Sequence, residues 1–173
     1  MVMRCEDWQP AYLELEQSGE LAHRAAALYG ILRNCRLCPR QCGVNRLKGE
    51  RGICESSSRV KVAAAHAYFG EEGPLVGRCG SGTIFFSRCN LLCVYCQNWR
   101  ISHGGEGSLI SDAALGRLML QLQSIGCHNI NLVTPTRAVA NIVQGLRTAV
   151  AGGLRIPLVY NCSGYEPQEV LHY

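Results

Sequence analysis

Apolar residues near the start of the chain recur at the spacing of an α-helix. They follow one another at steps of four, three and four residues, which places them on one helix face: Leu21, Ala25, Leu28 and Leu32. This pattern predicts a helix over residues 11–33. Gly19 weakens the middle of that segment because glycine lowers helix stability, so two shorter helices are the alternative.

From residue 83 onward, short apolar runs alternate with helical patterns. The runs TIFF, NINLV and PLVYN predict buried strands over residues 83–86, 129–133 and 157–161. A helix capped by Ser111 is predicted between the first two runs, with a buried face formed by Leu115, Leu118, Met119 and Leu122. A second helix, ending near Gly152, is predicted between the last two, with a face formed by Val139, Ile142, Val143 and Leu146. This alternation is typical of βαβ units with a parallel sheet, so the predicted fold class is α/β.

The segments before residue 83 are less regular. Residues 35–54 carry four cysteines among several glycines, which predicts a knuckle built from loops. Residues 60–65 are compatible with a short strand, and residues 70–82 form a glycine-rich connector. We therefore divide the chain into an N-terminal helix with a cysteine-rich metal-binding module, residues 1–60, and an α/β core, residues 61–173.

Composition narrows the class of protein. The chain has 173 residues, a net charge of +4 and 47% hydrophobic residues, which fit one packed domain or one domain with a small module. Its basic residues are scattered rather than interleaved with aromatic residues, so we expect no nucleic-acid partner. Its apolar runs are too short to span a bilayer, and acidic residues near the N-terminus argue against a secretory signal. We therefore expect a cytoplasmic protein with no membrane partner.

Eleven cysteines are the unusual feature of this composition. Disulfides are rare in reducing compartments, the count is odd, and seven of the cysteines lie in two tight clusters. Metal binding is therefore the better interpretation. The remaining four follow no ligand spacing. Cys5 and Cys79 receive no role, and we expect Cys127 and Cys162 to be small core residues.

The second cluster consists of Cys89, Cys93 and Cys96, with three and then two residues between them. It follows the first predicted strand of the core, where parallel α/β folds place their chemistry. Three thiolates are one short of the set that fills a 4Fe–4S cluster, so one iron would be open to a substrate. A zinc site completed by His103 and plain buried cysteines are the alternatives.

The surrounding sequence resembles a known family. The spacing CxxxCxxC, with the aromatic Tyr95 just before its last cysteine, resembles the radical SAM superfamily. The longer string GSGTIFFSRCNLLCVYCQNWRIS is similar to uncharacterised homologues of pyruvate formate-lyase activating enzymes. The strings CPRQCGVNRLKGERGIC and NINLVTPT resemble the same group, and the resemblance runs from Tyr12 to Tyr165.

The resemblance implies an activity. A 4Fe–4S cluster on the second cysteine cluster would bind S-adenosyl-L-methionine and cleave it reductively, giving a 5′-deoxyadenosyl radical. It implies an electron donor of the flavodoxin or ferredoxin type and a protein substrate that acquires a glycyl radical. The residues expected to contact S-adenosylmethionine are Tyr95, Thr134, Asn161 and Ser163; no side chain is assigned a catalytic role. Core packing is the alternative for Tyr95, and helix capping is the alternative for Thr134.

The resemblance also implies a partial (β/α)6 barrel. The chain supplies an N-terminal helical and cysteine-rich module and about three βα units, so we expect the first half of such a barrel, apparently truncated. A non-catalytic metal-binding protein, holding zinc or an inert iron–sulfur cluster, or an inactive truncated form, is the alternative function.

The first cluster consists of Cys35, Cys38, Cys42 and Cys54, with two, three and eleven residues between them. Four thiolates can close a tetrahedral zinc site or hold a second iron–sulfur cluster. The spacing does not separate these two metals. Loss of Cys54 from the set, and packing of the four cysteines without metal, are the alternatives.

Other polar residues receive minor roles. His66, Glu71 and Glu72 are assigned to the connector before residue 83, where the paired carboxylates suit either acid–base chemistry or a solvated loop. A further set of amides is expected to hydrogen-bond cluster sulfurs or orient the cluster loop, with ordinary turn chemistry as the alternative: Asn90, Gln97 and Asn98.

Overall fold

The chain begins with two helices that meet at a glycine. The structure is a computed structural model that describes residues 8–173. Its first helices are α1 (Ala11–Gln17) and α2 (Glu20–Ile31). Gly19 separates them with a φ of 79°, a left-handed conformation that glycine adopts without a steric cost. The prediction of one helix over residues 11–33 is therefore wrong, and the alternative of two shorter helices is confirmed.

Five strands form one mixed sheet in the order β3-β1-β2-β4-β5. Their bounds are β1 (Val60–Tyr68), β2 (Ser81–Phe86), β3 (Ser108–Ile110), β4 (Ile130–Val133) and β5 (Leu158–Asn161). The strands β2, β4 and β5 are parallel, whereas β1 pairs antiparallel with both β2 and β3. The α/β class and the three parallel strands are thus confirmed. The strand predicted over residues 60–65 is present as the longer β1, its antiparallel pairing was not predicted, and the short β3 is an addition.

Helices connect the strands and cover one face of the sheet. Their bounds are α3 (Gly73–Val76), α4 (Trp99–Ser102), α5 (Asp112–Ser124), α6 (Val139–Ala151) and α7 (Gln168–Leu171). Short 3-10 helices lie at residues 32–34, 46–48 and 136–138. Ser111 caps α5 as predicted, since its Oγ accepts a hydrogen bond from the Ala114 amide at 3.1 Å.

The two faces of the sheet differ in polarity. Side chains on one face alternate with those on the other, and the apolar set packs against the helices in a single core: Ile84, Phe86, Ile130 and Leu132. The opposite face carries buried polar side chains, among them Ser81, Thr83 and Asn131. The helix α2 joins the same core through Leu21, Ala25 and Leu28. The division of the chain at residue 60 stays a prediction.

Several local predictions need correction. His66 lies on β1 opposite Thr83 rather than in a connector, because the strand runs three residues beyond the predicted end. The segment 70–82 contains α3 and the start of β2 rather than loop alone. Cys127 is a core residue as predicted. Cys162 is exposed, because it follows the last residue of β5 at the outer edge of the sheet.

Cys5 lies outside the described residues. Across residues 8–173, no helix has both the length and the apolar character required to cross a bilayer.

Candidate metal centre

The carboxyl ends of the three parallel strands meet beside one large cavity. In the sheet register Phe85 pairs with Val133, and Val133 pairs with Asn161. All three residues line a cavity of about 570 Å³, together with Gln97 and Asn98, which directly follow the second cysteine cluster. Cavities of this size are typical of small-molecule sites. The fold therefore brings the second cysteine loop to a ligand-sized space.

The cysteines of the second loop differ in exposure. Cys89 is buried, Cys93 is exposed and Cys96 is intermediate. The Leu91 amide donates a hydrogen bond to Cys89 Sγ at 3.4 Å, and Ser102 Oγ donates one to Cys96 Sγ at 3.2 Å. Hydrogen bonds to cysteine sulfur favour the thiolate and tune an iron–sulfur cluster.

The backbone of this loop is unusual on both sides of Cys89. Arg88 and Leu92 have φ values of 75° and 57°, a left-handed region that costs energy for residues with a side chain. The Arg88 carbonyl accepts a hydrogen bond from Arg137 Nε at 2.9 Å. The carbonyls of Asn90 and Leu91 accept hydrogen bonds from Arg40, at 3.0 Å and 3.2 Å. Two arginines thus hold the strained loop in place.

The predicted amide and histidine residues near this loop have defined partners. Asn90 is fully buried and its Nδ2 donates to the Tyr165 carbonyl at 3.0 Å, so it orients the loop. His103 Nδ1 lies 2.8 Å from Ser102 Oγ, one hydrogen bond away from the Cys96 sulfur. Gln97 and Asn98 contribute to the cavity wall.

The four cysteines of the first cluster surround one small cavity. Cys35, Cys38, Cys42 and Cys54 all line it, although the last lies well apart in sequence. Burial raises the pKa of the Cys38 thiol, and the neighbouring thiols of Cys54, Cys35 and Cys42 act in the same direction. The enclosed space is about 10 Å³, about enough for the centre of one water-sized sphere. The four cysteines that line it are a donor set for a single metal ion or for an iron–sulfur cluster.

A glycine allows the close approach of the chain at this first site. A Cβ added at Gly52 would lie 2.7 Å from the Sγ and Cβ of Cys42, inside van der Waals contact. The sequence CPRQCGVNRLKGERGIC therefore needs a residue without a side chain at this position.

The four cysteines of the first set share one small cavity, whereas Cys89, Cys93 and Cys96 share only a loop. Within residues 8–173, no three His, Cys, Asp or Glu side chains are arranged around a common metal position. The described cysteines are free thiols. Protonated thiols gain nothing from close convergence, whereas metal binding deprotonates them and favours that convergence. The donor chemistry of both sets fits a thiophilic metal.

Of the four residues expected to contact S-adenosylmethionine, Asn161 and Thr134 are joined by a hydrogen bond, whereas Tyr95 and Ser163 lie outside the cavity wall. Asn161 lines the cavity, and its carbonyl accepts a hydrogen bond from the Thr134 amide at 3.0 Å. Thr134 has a left-handed φ of 59°. Tyr95 is 97% exposed, which makes core packing the wrong alternative for this residue. Ser163 is also exposed and is not among the residues of the cavity wall.

The buried polar residues on the face of the sheet opposite the apolar core were not predicted to belong to the site. Asn131 is fully buried, its Nδ2 donates to Glu71 Oε1 at 2.9 Å, and its Oδ1 has no hydrogen-bond partner among the described residues. Glu71 lines the large cavity. The signal was present, because Asn129 and Asn131 alternate with apolar residues along a predicted strand.

Comparisons with known proteins give a relative whose own function is uncharacterised. No protein-family model matches the chain, and no solved structure matches it. The chain is 33% identical over 150 residues to an uncharacterised protein of the archaeon Methanocaldococcus jannaschii. The match covers 82% of this chain and 42% of that protein, so the chain spans about two fifths of its relative's length.

Proposed function

We propose that the chain is a radical SAM protein. In this proposal Cys89, Cys93 and Cys96 hold a 4Fe–4S cluster, and the adjoining cavity receives S-adenosylmethionine. The observation that carries the proposal is the position of the three-cysteine loop beside a cavity of about 570 Å³ at the carboxyl ends of parallel strands. The bound cluster would pass an electron from a flavodoxin or ferredoxin to S-adenosylmethionine, giving methionine and a 5′-deoxyadenosyl radical.

The chain's own residues bind and orient in this proposal. Ser102 Oγ and the Leu91 amide hold two of the three sulfurs by hydrogen bonds. Arg40 and Arg137 fix the loop backbone through its carbonyls. Asn161 lines the cavity at the end of β5, and its carbonyl accepts a hydrogen bond from the Thr134 amide. The protein substrate would be a partner enzyme that acquires a glycyl radical.

A second part of the proposal concerns the arrangement of the strands and helices. In this proposal the parallel strands β2, β4 and β5 with the helices α5 and α6 would form the first half of a partial (β/α)6 barrel; their alternating order along the chain supports it. Since β5 is a sheet edge within the described residues, further parallel strands of a complete barrel would pair there and close the cavity.

The first cysteine site receives a single zinc ion in this proposal. Four cysteines around one cavity match the ligand number of a closed structural zinc site. Such an ion would support the fold and would not take part in the chemistry.

Anaerobic reconstitution with iron and sulfide tests the function. We expect about four iron atoms at the second site and 5′-deoxyadenosine that depends on dithionite. Cys93→Ala should abolish both, whereas Cys79→Ala, a change at an exposed cysteine outside the clusters, should leave both unchanged. Zinc at both sites without 5′-deoxyadenosine would favour the non-catalytic metal-binding protein. Equal loss in both variants would mean that the ligands are wrongly assigned.

A further inference from the structure

Arg137 is a buried arginine that lies between the two cysteine sites. It belongs to the 3-10 helix at residues 136–138 and is 4% exposed. Its Nε donates to the Arg88 carbonyl at 2.9 Å, and its guanidinium lies 5.8 Å from the centre of the Phe86 ring. Its Nη2 has no hydrogen-bond partner among the described residues. The Nε of this cation therefore has a hydrogen-bond acceptor, whereas its Nη2 has none among the described residues.

A second buried arginine lies next to it. Arg46 is 2% exposed, and its Nη1 donates to the Arg137 carbonyl at 3.0 Å. The same Nη1 lies 4.0 Å from Cys35 Sγ, and Nε donates to the Ser57 carbonyl at 3.0 Å. Two cations are thus buried side by side, and each is held by backbone carbonyls.

No carboxylate compensates these charges in the described part of the chain. The ion pairs found there use other basic residues, namely His23, Arg24, Arg100 and Arg147. Burial lowers the pKa of Arg137 to about 10, and Arg46 acts in the same direction, whereas negative charge on Cys54 and Cys89, as thiolates, would raise it. The ionisable groups that favour the charged form of Arg137 are therefore one cysteine from each site.

A buried cation without an anionic partner is costly, and it persists when a nearby anion compensates it. Protonated thiols are neutral and supply no such charge. Metal coordination turns each cysteine into a thiolate and leaves a zinc or iron–sulfur site with a net negative charge. Arg137 donates to the carbonyl of Arg88, the residue before Cys89, and its own carbonyl accepts from Arg46, which lies 4.0 Å from Cys35 Sγ. These contacts connect Arg137 to both cysteine sites, and negative charge on Cys54 and Cys89 would stabilise its charged form.

We infer that Arg137 is a shared counter-ion for the two cysteine sites and stabilises the metal-bound thiolates of both. The inference rests on the proposed metal binding at the second loop, and it goes beyond it by assigning one residue to both centres. Arg137 acts through the ligands and touches no substrate, so it is a positioning residue. Its charge, and not only its hydrogen bond to Arg88, is the property that the sites need.

Two variants separate charge from hydrogen bonding. Arg137→Gln keeps an N–H donor for the Arg88 carbonyl and removes the charge. Arg137→Lys keeps the charge and removes the planar fork of donors. Arg36→Gln removes one charge from an exposed position of the first cysteine loop and is the matched control.

The probe is Co²⁺ alone, which reports thiolate coordination by its absorption. Each variant is placed in the full chain on two backgrounds, Cys93→Ser to isolate the first site and Cys38→Ser to isolate the second. We expect Arg137→Gln to weaken Co²⁺ binding about tenfold at each site, which is the scale of one close charge interaction. We expect Arg137→Lys to stay within about threefold of the parent, and Arg36→Gln to match the parent.

Equal losses for the Gln and Lys variants would overturn the inference, because the role would then be structural and not electrostatic. A loss confined to one site would overturn it as well, because the counter-ion would not be shared. The proposed function fails separately: a parent chain that assembles its cluster but forms no 5′-deoxyadenosine refutes the enzyme and leaves the Co²⁺ comparison intact.

Discussion

Arg40 donates from Nε to the backbone carbonyl of Asn90 at 3.0 Å. Arg40 lies between Cys38 and Cys42 of the first site, and Asn90 directly follows Cys89 of the second. The two cysteine loops are therefore joined by a direct contact across 50 residues of sequence. The cysteine-rich module therefore helps to hold the loop that carries Cys89, Cys93 and Cys96.

Replacement of Arg40 by alanine tests this support. The Asn90 and Leu91 carbonyls would lose their donor in a partly buried setting, which costs about 1–3 kcal/mol. We expect the reconstituted Arg40→Ala chain to lose iron several-fold faster than the parent when challenged with a chelator. Arg36→Ala, on an exposed position of the same loop, should retain iron as the parent does. Identical release from both variants would show that the contact does not support the loop.

Replacement by alanine should weaken zinc binding at one glycine, Gly52, and stabilise the fold at another, Gly30. Gly52→Ala would bring a Cβ to 2.7 Å from Cys42 Sγ, so we expect zinc binding at the first site to fall by tenfold or more. Gly30 lies within α2, and a Cβ added there would meet no atom within 4 Å, so Gly30→Ala should stabilise the fold by about 0.5–1 kcal/mol. Zinc titration and chemical unfolding measure the two effects. Unchanged zinc affinity in Gly52→Ala would contradict the close packing.

A polar cluster joins α2 to the α/β core. The Tyr29 hydroxyl donates to Asp112 Oδ2, and Asn141 Nδ2 donates to Asp112 Oδ1 at 2.8 Å. Tyr29→Phe removes the hydroxyl and leaves a carboxylate oxygen without its donor, so we expect a loss of about 1–3 kcal/mol in the free energy of unfolding. Tyr95→Phe, at a fully exposed position, should change it by less than about 0.5 kcal/mol. Urea unfolding of both variants provides the comparison.

Buried tyrosines predict a loss of stability at alkaline pH. Burial raises the pKa of Tyr12 from 10.0 to about 12, although Arg155 lowers it somewhat, and the Tyr12 hydroxyl donates to the Ile156 carbonyl at 2.7 Å. The unfolded chain releases this proton first, so the stabilisation is complete below pH 10 and disappears as the pH rises to about 12. We expect a decrease of up to about 2 kcal/mol over that window.

Tyr12→Phe should be less stable than the parent at pH 8 and should lose less stability at higher pH. Urea unfolding at several pH values measures both slopes. Parallel slopes for parent and variant would show that Tyr12 does not contribute to the alkaline transition. Tyr160, whose pKa burial also raises to about 12, contributes in both proteins and does not affect the difference.

The parallel strands could be predicted because their signals are local. The runs NINLV and PLVYN are compact apolar segments bounded by turn residues, and each became a strand. The strand β1 was only partly predicted, because VKVAAAHAY is rich in alanine and has weak alternation. Its antiparallel pairing with β2 depends on long-range hydrogen bonds. The three residues of β3 are too few for any periodicity.

The difference between local sequence signals and long-range contacts also applies to the candidate site. Cysteine spacing predicted two cysteine sets, and the structure places the four cysteines of the first around one cavity. The ligand roles of both sets stay predictions. Arg46 and Arg137 were not predicted, because their contacts join residues 91 and 49 positions apart. Arginine is a surface residue by default, and nothing local in RLK or TRA distinguishes a buried one. Cys54, by contrast, was assigned to the first set from the sequence, and it lines the same cavity as the other three cysteines.

The central position of β2 has a consequence for amide hydrogen exchange. This strand has hydrogen-bonded neighbours on both sides, so its amide protons exchange only when a large part of the sheet opens. The tip of the following loop, at Val94 and Tyr95, is 88% and 97% exposed and exchanges by local opening. Slow and fast exchange thus lie within one short segment. A ligand held by the loop cysteines would slow exchange at the tip and leave the rates along β2 unaltered.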